Sequence, residues 1–168
     1  YVNNVSDVGA RAIADKLSKL NTLHLGGNNI GNVGARSIAD KLPSLHTLYL
    51  SRNNVGEAGA VAIADKLSNL HTLDFSDNDV GEDGVRAIAE KLKKMRVLDL
   101  RGNQLNDDSV RLLVNGLPEL EVVHLSENAA LRLPNELLGH STQAAALRNY
   151  FRRIATEGNR KLNEAKLI

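Results

Sequence analysis

Histidine and aspartate are the residues of this sequence best suited to chemistry. His46 and His71 lie 25 residues apart, and Asp74 and Asp99 have the same spacing. Two adjacent imidazoles can bind a metal ion, and two adjacent carboxylates can divide the roles of acid and base. Both uses require the two members of a pair to lie close together. A shared spacing of 25 residues suggests that a repeated structure brings them together.

Other reactive groups are scarce. The chain has no cysteine, which excludes disulfides, thiolate metal sites and thiol nucleophiles. No G-x-x-x-x-G-K-[ST] loop occurs, and Gly26-Gly27 does not open a G-x-G-x-x-G motif, so no phosphate-binding loop is predicted. The net charge is +1 without a basic stripe, and no apolar run is long enough to cross a membrane. We therefore predict no enzyme activity, no metal, no cofactor in this segment, no nucleic-acid partner and no membrane association.

A repeat of 25 residues must position the polar residues. Each repeat follows the pattern L-x-x-L-x-L-x-x-N-x-L, as in Leu20, Leu23, Leu25 and Asn28. Because Leu23 and Leu25 alternate with His24, they indicate a strand with one buried face. A buried asparagine amide can bond to its own turn and to the neighbouring repeat. We predict a structural asparagine ladder formed by Asn28, Asn53, Asn78, Asn103 and Asn128.

The second half of each repeat predicts a helix. Gly34, Ala35, Ile38, Ala39 and Leu42 place small and apolar residues on one helical stripe, and the pattern recurs in neighbouring repeats. Helices are wider than the spacing between strands, so the array must curve with the strands on the inside.

The combined pattern resembles the leucine-rich-repeat family, and is similar to its ribonuclease-inhibitor-like subclass. The resemblance implies an α/β solenoid that is curved, with a parallel inner β-sheet, outer α-helices and a C-terminal capping helix. We assign residues 1–130 to the repeats, about five full ones after an N-terminal partial one, and residues 131–168 to a cap and linker. The strand that should precede Asn3 is missing, so we expect further repeats or a cap upstream.

The outward-pointing strand residues and the adjoining turns form a candidate concave binding face. The stacking of repeats accounts for the proximity of the histidine and aspartate pairs, so we assign them no catalytic or metal-binding role. The face mixes charge signs around one tyrosine, which suits a protein or peptide partner. The residues predicted to contact it are His24, Tyr49, Arg52, Asp74, Asp77, Asp99, Arg101 and His124.

The tail after the last repeat differs in pattern and in charge. Residues 131–138 contain a proline and predict a turn that ends the sheet. Ser141 or Thr142 is predicted to cap a helix that ends at residues 157–159. The segment from Lys161 indicates the start of a strand.

The tail also resembles the junction in Roco proteins, in which a leucine-rich-repeat array leads into a Ras-like GTPase domain called Roc. The resemblance rests on Leu133-Pro134-x-Glu136-Leu137, on Ser141-Thr142-Gln143-Ala144, on Leu147-x-x-Tyr150-Phe151 and on the sequence LNEAKLI at 162–168. It implies a cytoplasmic regulatory domain of a GTP-binding signalling protein, in contact with adjoining Roc and COR domains. GTP or GDP and Mg would bind to the Roc domain that follows. Candidate interdomain contacts are Arg148, Arg152 and Arg153.

Two other readings remain open at this point. The chain could be a stand-alone partner-binding protein of the effector or receptor-like type. It could also activate a GTPase in trans, as similar solenoids do.

Overall fold

A computed structural model describes residues 3–139 and 141–165, with side chains described up to residue 157. Short strands alternate with helices along the chain. The helices are α1 Ser6–Lys16, α2 Asn32–Lys41, α3 Glu57–Lys66, α4 Gly81–Lys91, α5 Asp107–Gly116 and α6 Ala144–Ala165. The strands are β1 Thr22–His24, β2 Thr47–Tyr49, β3 Thr72–Asp74, β4 Val97–Asp99, β5 Val122–His124 and β6 Thr142–Gln143.

The strands form one sheet in sequence order, from β1 to β6. The pairs from β1 to β5 are parallel, and residues 25 positions apart face each other, as Leu23 faces Leu48. Helices α1 to α5 pack side by side along the array. The predicted α/β solenoid with a parallel sheet and flanking helices is confirmed.

Aliphatic side chains fill the space between the sheet and the helices. Ile38, Ile63 and Ile88 occupy the same repeat position, and all three are fully buried. Each such side chain contributes roughly 2 kcal/mol through burial. Glycine lets the helices approach: a Cβ at Gly59 would lie 2.8 Å from Oδ1 of Asn32 and would clash with it.

The asparagines of the repeat lie at the turn after each strand and join neighbouring repeats. In Asn53, Oδ1 accepts hydrogen bonds from the main-chain N–H groups of Asn28 and Ile30, at 3.1 and 2.8 Å. Its Nδ2 donates to the carbonyl oxygens of Leu25 and Leu50, at 2.9 and 3.0 Å. One amide therefore satisfies polar main-chain groups of two repeats. Equivalent contacts are made by Asn28, Asn78, Asn103 and Asn128.

The tail departs from four predictions. The sheet does not end at residues 131–138, because β6 pairs with β5 in antiparallel orientation. Thr142 lies in β6 and its hydroxyl donates to the carbonyl of Leu137 at 2.9 Å, and Ser141 precedes that strand, so neither residue caps α6, which begins at Ala144. Helix α6 runs to Ala165 instead of ending at residues 157–159, so the strand predicted from residue 161 is wrong as far as residue 165. Residues 166–168 of that predicted strand lie outside the described residues.

Candidate functional site

Main-chain hydrogen bonds extend the parallel pairing beyond the strands into the adjoining turns. The N–H of Leu25 donates to the carbonyl of Tyr49, and the N–H of Gly27 donates to that of Ser51, at 2.9 and 2.8 Å. Later repeats follow the same pattern, as in Arg52 to Ser76 at 2.9 Å. The turn residues beside the concave face are therefore held at fixed positions.

A column of left-handed residues forms the rim of this face. Gly27, Arg52, Asp77, Gly102 and Glu127 directly precede the ladder asparagines, and their φ angles lie between +50° and +68°. A side chain at positive φ costs on the order of 1 kcal/mol, yet three of these five positions carry charged residues. The regular turn thus directs charged groups along one edge of the sheet.

Two adjoining grooves run along the concave face, and we refer to them together as the concave groove. The larger has a volume of about 450 Å³ and the smaller about 290 Å³. They share Gly26, Ser51 and Asp74. The larger is lined in addition by Gly27, Arg52, Ser76, Asp77, Arg101 and Glu127, and the smaller by Asn3, His24 and Tyr49.

Both arginines of the concave groove are paired with carboxylates. Arg52 Nε lies 3.2 Å from Asp77 Oδ2, at an exposed position. Arg101 forms a fork on Asp99, with Nη2 2.6 Å and Nε 3.0 Å from Oδ2. The hydrogen bonds to Asp99 and its negative charge raise the pKa of the Arg101 guanidinium.

Asp99 is buried beneath this fork, with only 8% of its surface exposed. Its prediction as a direct partner contact is therefore corrected: Asp99 orients Arg101, which itself lines the concave groove. Sequence reasoning could not separate these roles, because both residues point outward by strand alternation.

Aromatic rings stack along the column of outward-pointing residues. His24 and Tyr49 have ring centroids 4.1 Å apart and planes inclined by 15°. Asp74 follows Tyr49 in the same cross-strand row. His124 occupies this row at the last parallel strand, three repeats from the stacked pair and outside the lining of both grooves.

His46 and His71 lie at the opposite ends of the strands from the rim residues. Their rings also stack, with centroids 5.3 Å apart and planes inclined by 8°. In this arrangement the nitrogen lone pairs lie in parallel planes and do not converge on one point. Within the part of the chain that the structure describes, no cluster of three or more His, Cys, Asp or Glu residues could hold a metal ion.

Of the three arginines predicted as interdomain contacts, Arg148 has a different role. Its guanidinium donates to the carbonyl oxygens of Val114 and Leu117, at 2.7 and 2.6 Å, and so ties α6 to the end of α5. Its prediction as an interdomain contact is corrected to an internal anchor. Arg152 and Arg153 are exposed on the outer side of α6.

A second inter-repeat contact was not foreseen from the sequence. Asn32 Oδ1 accepts from the N–H groups of Gly56 and Gly59, both at 2.9 Å, and so caps the helix of the next repeat. Asp7 does the same for α2, at 2.7 and 2.8 Å. The sequence feature that could have predicted this cap is a polar residue at the same position of every repeat: Asp7, Asn32, Glu57, Glu82 and Asp107.

Comparison with family models agrees with this geometry. The model described as Leucine Rich repeat matches residues 16–39, 41–64, 66–89 and 91–114. The chain belongs to the leucine-rich-repeat family. Proteins with this fold typically serve as non-catalytic scaffolds that bind other proteins, and this leucine-rich-repeat domain has the concave surface such a role requires.

Among solved structures, the leucine-rich-repeat domain is similar to an internalin (inlF) from Listeria monocytogenes. The TM-score is 0.59 and the sequence identity is 23%, over 73% of this chain and 33% of the internalin chain. The domain thus spans about a third of that relative, and the likeness concerns the fold. Comparison with curated proteins gave no match. Among the described helices of the domain, none is long and apolar enough to span a bilayer.

Proposed function

We propose that this leucine-rich-repeat domain holds a protein partner in the concave groove. The observation that carries the proposal is the groove itself, which is continuous across the repeats and lined by side chains on hydrogen-bonded turns. Side chains held in place before binding lose little conformational freedom when a partner docks. The partner contacts are His24, Tyr49, Arg52, Asp74, Asp77 and Arg101, with His124 farther along the sheet.

We further propose that the domain regulates a Roc-type GTPase domain in a longer parent protein. The Roco-like tail sequence supports this, and so does the mechanical link between the array and α6. Ala144 and Leu147 of α6 are fully buried in the common core, and Arg148 fixes the same helix turn. A partner in the concave groove and a domain attached beyond α6 would then be coupled through one rigid body.

In that arrangement, exposed Arg152 and Arg153 would contact the adjoining Roc and COR domains. GTP or GDP with Mg would bind to the Roc domain and not to this segment. Such a parent would act in the cytoplasm.

The regulatory proposal is tested on the parent protein by measuring GTP affinity and turnover before and after removal of the array. We expect removal to change at least one of the two, because loss of a coupled domain shifts the conformational equilibrium of its neighbour. Unchanged affinity and turnover would contradict regulation.

A stand-alone interaction protein would use the same concave groove. The coding sequence that follows Ile168 in the parent gene separates the two readings. A G-x-x-x-x-G-K-[ST] motif directly after Ile168 would support the Roco reading, and a stop codon near Ile168 would support the stand-alone one.

A further inference from the structure

Carboxylates outnumber guanidinium groups along the concave groove. Asp74, Asp77 and Glu127 line the larger groove together with Arg52 and Arg101. Arg101 is already neutralised by buried Asp99, which lies beneath it. The surface offered to a partner is therefore acidic, although the chain as a whole has a net charge of +1.

Asp74 is the carboxylate best placed to receive a cation. Its Oδ1 accepts from the N–H and the hydroxyl of Ser76, at 2.9 and 2.7 Å, which fixes the carboxylate plane. Its Oδ2 has no hydrogen-bond donor among the described residues. Asp74 is also one of the three residues shared by both grooves, so it lies where the two grooves meet.

An aromatic residue lies beside Asp74 on the neighbouring strand. Tyr49 is the cross-strand neighbour of Asp74 and lines the smaller groove with it. Stacking on His24 restrains the Tyr49 ring. A carboxylate beside an aromatic ring is a favourable site for an ammonium or guanidinium group, which gains both an ion pair and a cation–π contact.

Small residues leave room for a side chain to enter. Gly26 and Ser51 separate the ring from the rim and belong to both grooves. An anionic ligand would be disfavoured there, because it would compete with Asp77 and Asp99 for the two arginines and would be repelled by Asp74 and Glu127.

We propose that the concave groove binds a basic segment of a partner protein, with a Lys or Arg side chain between Asp74 and Tyr49. This inference rests on the proposed function and specifies the chemistry of its partner. The occupant follows from charge complementarity between an acidic groove and a basic peptide.

The test uses the purified chain and two fluorescent peptides, one of alternating Lys and Gly and one of alternating Glu and Gly. Fluorescence anisotropy measures their dissociation constants at low and high salt. We expect the basic peptide to bind more tightly, and to bind more weakly as salt increases. Asp74→Asn keeps the shape and the acceptor for Ser76 but removes the charge, and should weaken binding about fivefold.

Asp40→Asn is the matched control, because it removes the same charge from an exposed position on the outer side of α2. It should leave the dissociation constant unchanged. Tyr49→Leu keeps an apolar side chain but removes the π face, and should weaken binding about threefold. NMR amide chemical shifts locate the peptide-binding site independently of the variants. The basic peptide should shift the amide signals of Ser51 and Ser76 in the unmodified chain.

Four outcomes would overturn the inference, of which the first three are equal losses in Asp74→Asn and Asp40→Asn, tighter binding of the acidic peptide, and no binding of the basic one. Self-association of the chain that Asp74→Asn abolishes, without peptide binding, would identify a second copy as the occupant and would also overturn it. None of these results would refute partner binding itself, which a concave groove could achieve with an uncharged segment. Failure of that broader proposal would appear separately, as partner contacts that map only to the helical side.

Discussion

Arg148 Nε donates a hydrogen bond to the carbonyl oxygen of Val114 at 2.7 Å, so the first turns of α6 are tied to the end of α5. The same guanidinium donates to the carbonyls of Leu117 and Leu120, at 2.6 and 3.3 Å. The last carbonyls of a helix have no N–H partner of their own and attract cations. This side chain therefore anchors the capping helix α6 to the last repeat.

Replacing Arg148 with Ala should loosen the cap. Three carbonyls lose their donor and a charged hydrogen-bond network disappears, so we expect a loss of about 2–4 kcal/mol in the free energy of unfolding. Urea denaturation measures this loss, and amide hydrogen exchange should increase in α6 before it does in α2. Arg152→Ala, on the exposed side of the same helix, should change the free energy by about 0.5 kcal/mol or less. Equal effects of the two variants would refute the anchor.

Replacing Asn53 with Ala should weaken the junction between two repeats. The main-chain groups of Asn28, Ile30 and Leu25 would lose a partner inside the protein, and each unsatisfied group costs about 1–3 kcal/mol. We expect a total loss of about 3–5 kcal/mol, measured by urea denaturation followed by circular dichroism. Asn54→Ala, at the adjacent exposed position, is the control. Similar urea unfolding midpoints for Asn53→Ala and Asn54→Ala would show that the asparagine ladder does not contribute to stability.

Substitutions at Asn32 should separate hydrogen bonding from charge at an inter-repeat cap. Asn32→Ala removes the acceptor for Gly56 and Gly59 and should cost about 1 kcal/mol. Asn32→Asp keeps the acceptor and adds a negative charge near the N-terminus of α3, so it should equal or exceed the wild-type stability. Thermal unfolding measures both effects, with Arg36→Ala on the same helix as the control. A loss in Asn32→Asp as large as that in Asn32→Ala would rule out capping.

The acidic pair Glu57 and Asp83 should make stability depend on pH. A side-chain hydrogen bond to Asp83, partial desolvation and charge repulsion raise the pKa of Glu57 above its ordinary value of 4.5. The folded chain thus holds this proton more tightly than the unfolded chain, so the stabilising contribution is complete at acidic pH and is lost as pH rises through the raised pKa.

Glu57→Gln removes the repulsion and should therefore raise the melting temperature at neutral pH. Its advantage should shrink as the pH is lowered through the raised pKa of Glu57, because the wild-type carboxyl then takes up a proton. Melting temperatures of both proteins across this range provide the measurement. An advantage that stays constant with pH would show that repulsion from Asp83 does not affect stability.

The repeated part of the fold could be predicted because every repeat carries the same hydrophobic pattern of a strand followed by a helix. Alternation of Leu23 and Leu25 indicates the buried face of a strand, and the spacing of Ile38 and Leu42 indicates a helix. A fixed period then determines which residues face each other across the sheet, such as Tyr49 and Asp74.

The non-repeating features could not be predicted, because they depend on three-dimensional contacts that the 25-residue repeat does not specify. β6 forms because Thr142 reaches the edge of β5, and Arg148 turns inward because α5 ends beside it. Asp74 and Asp99 occupy the same repeat position, but the residue two positions later differs. Arg101 covers the carboxylate of Asp99, whereas the shorter Ser76 bonds to Asp74. The length of the side chain two positions after each aspartate therefore determines which carboxylate stays available to a ligand.

The central claim is that a partner docks on the concave groove, and site-specific photo-cross-linking tests it most directly. A photoreactive residue in place of Tyr49 samples the groove, and one in place of Val33, which is 65% exposed on α2, samples the helical side. We predict a partner cross-link from position 49 that excess unmodified domain competes away, and none from position 33. A competed cross-link from position 33 with none from position 49 would contradict the claim.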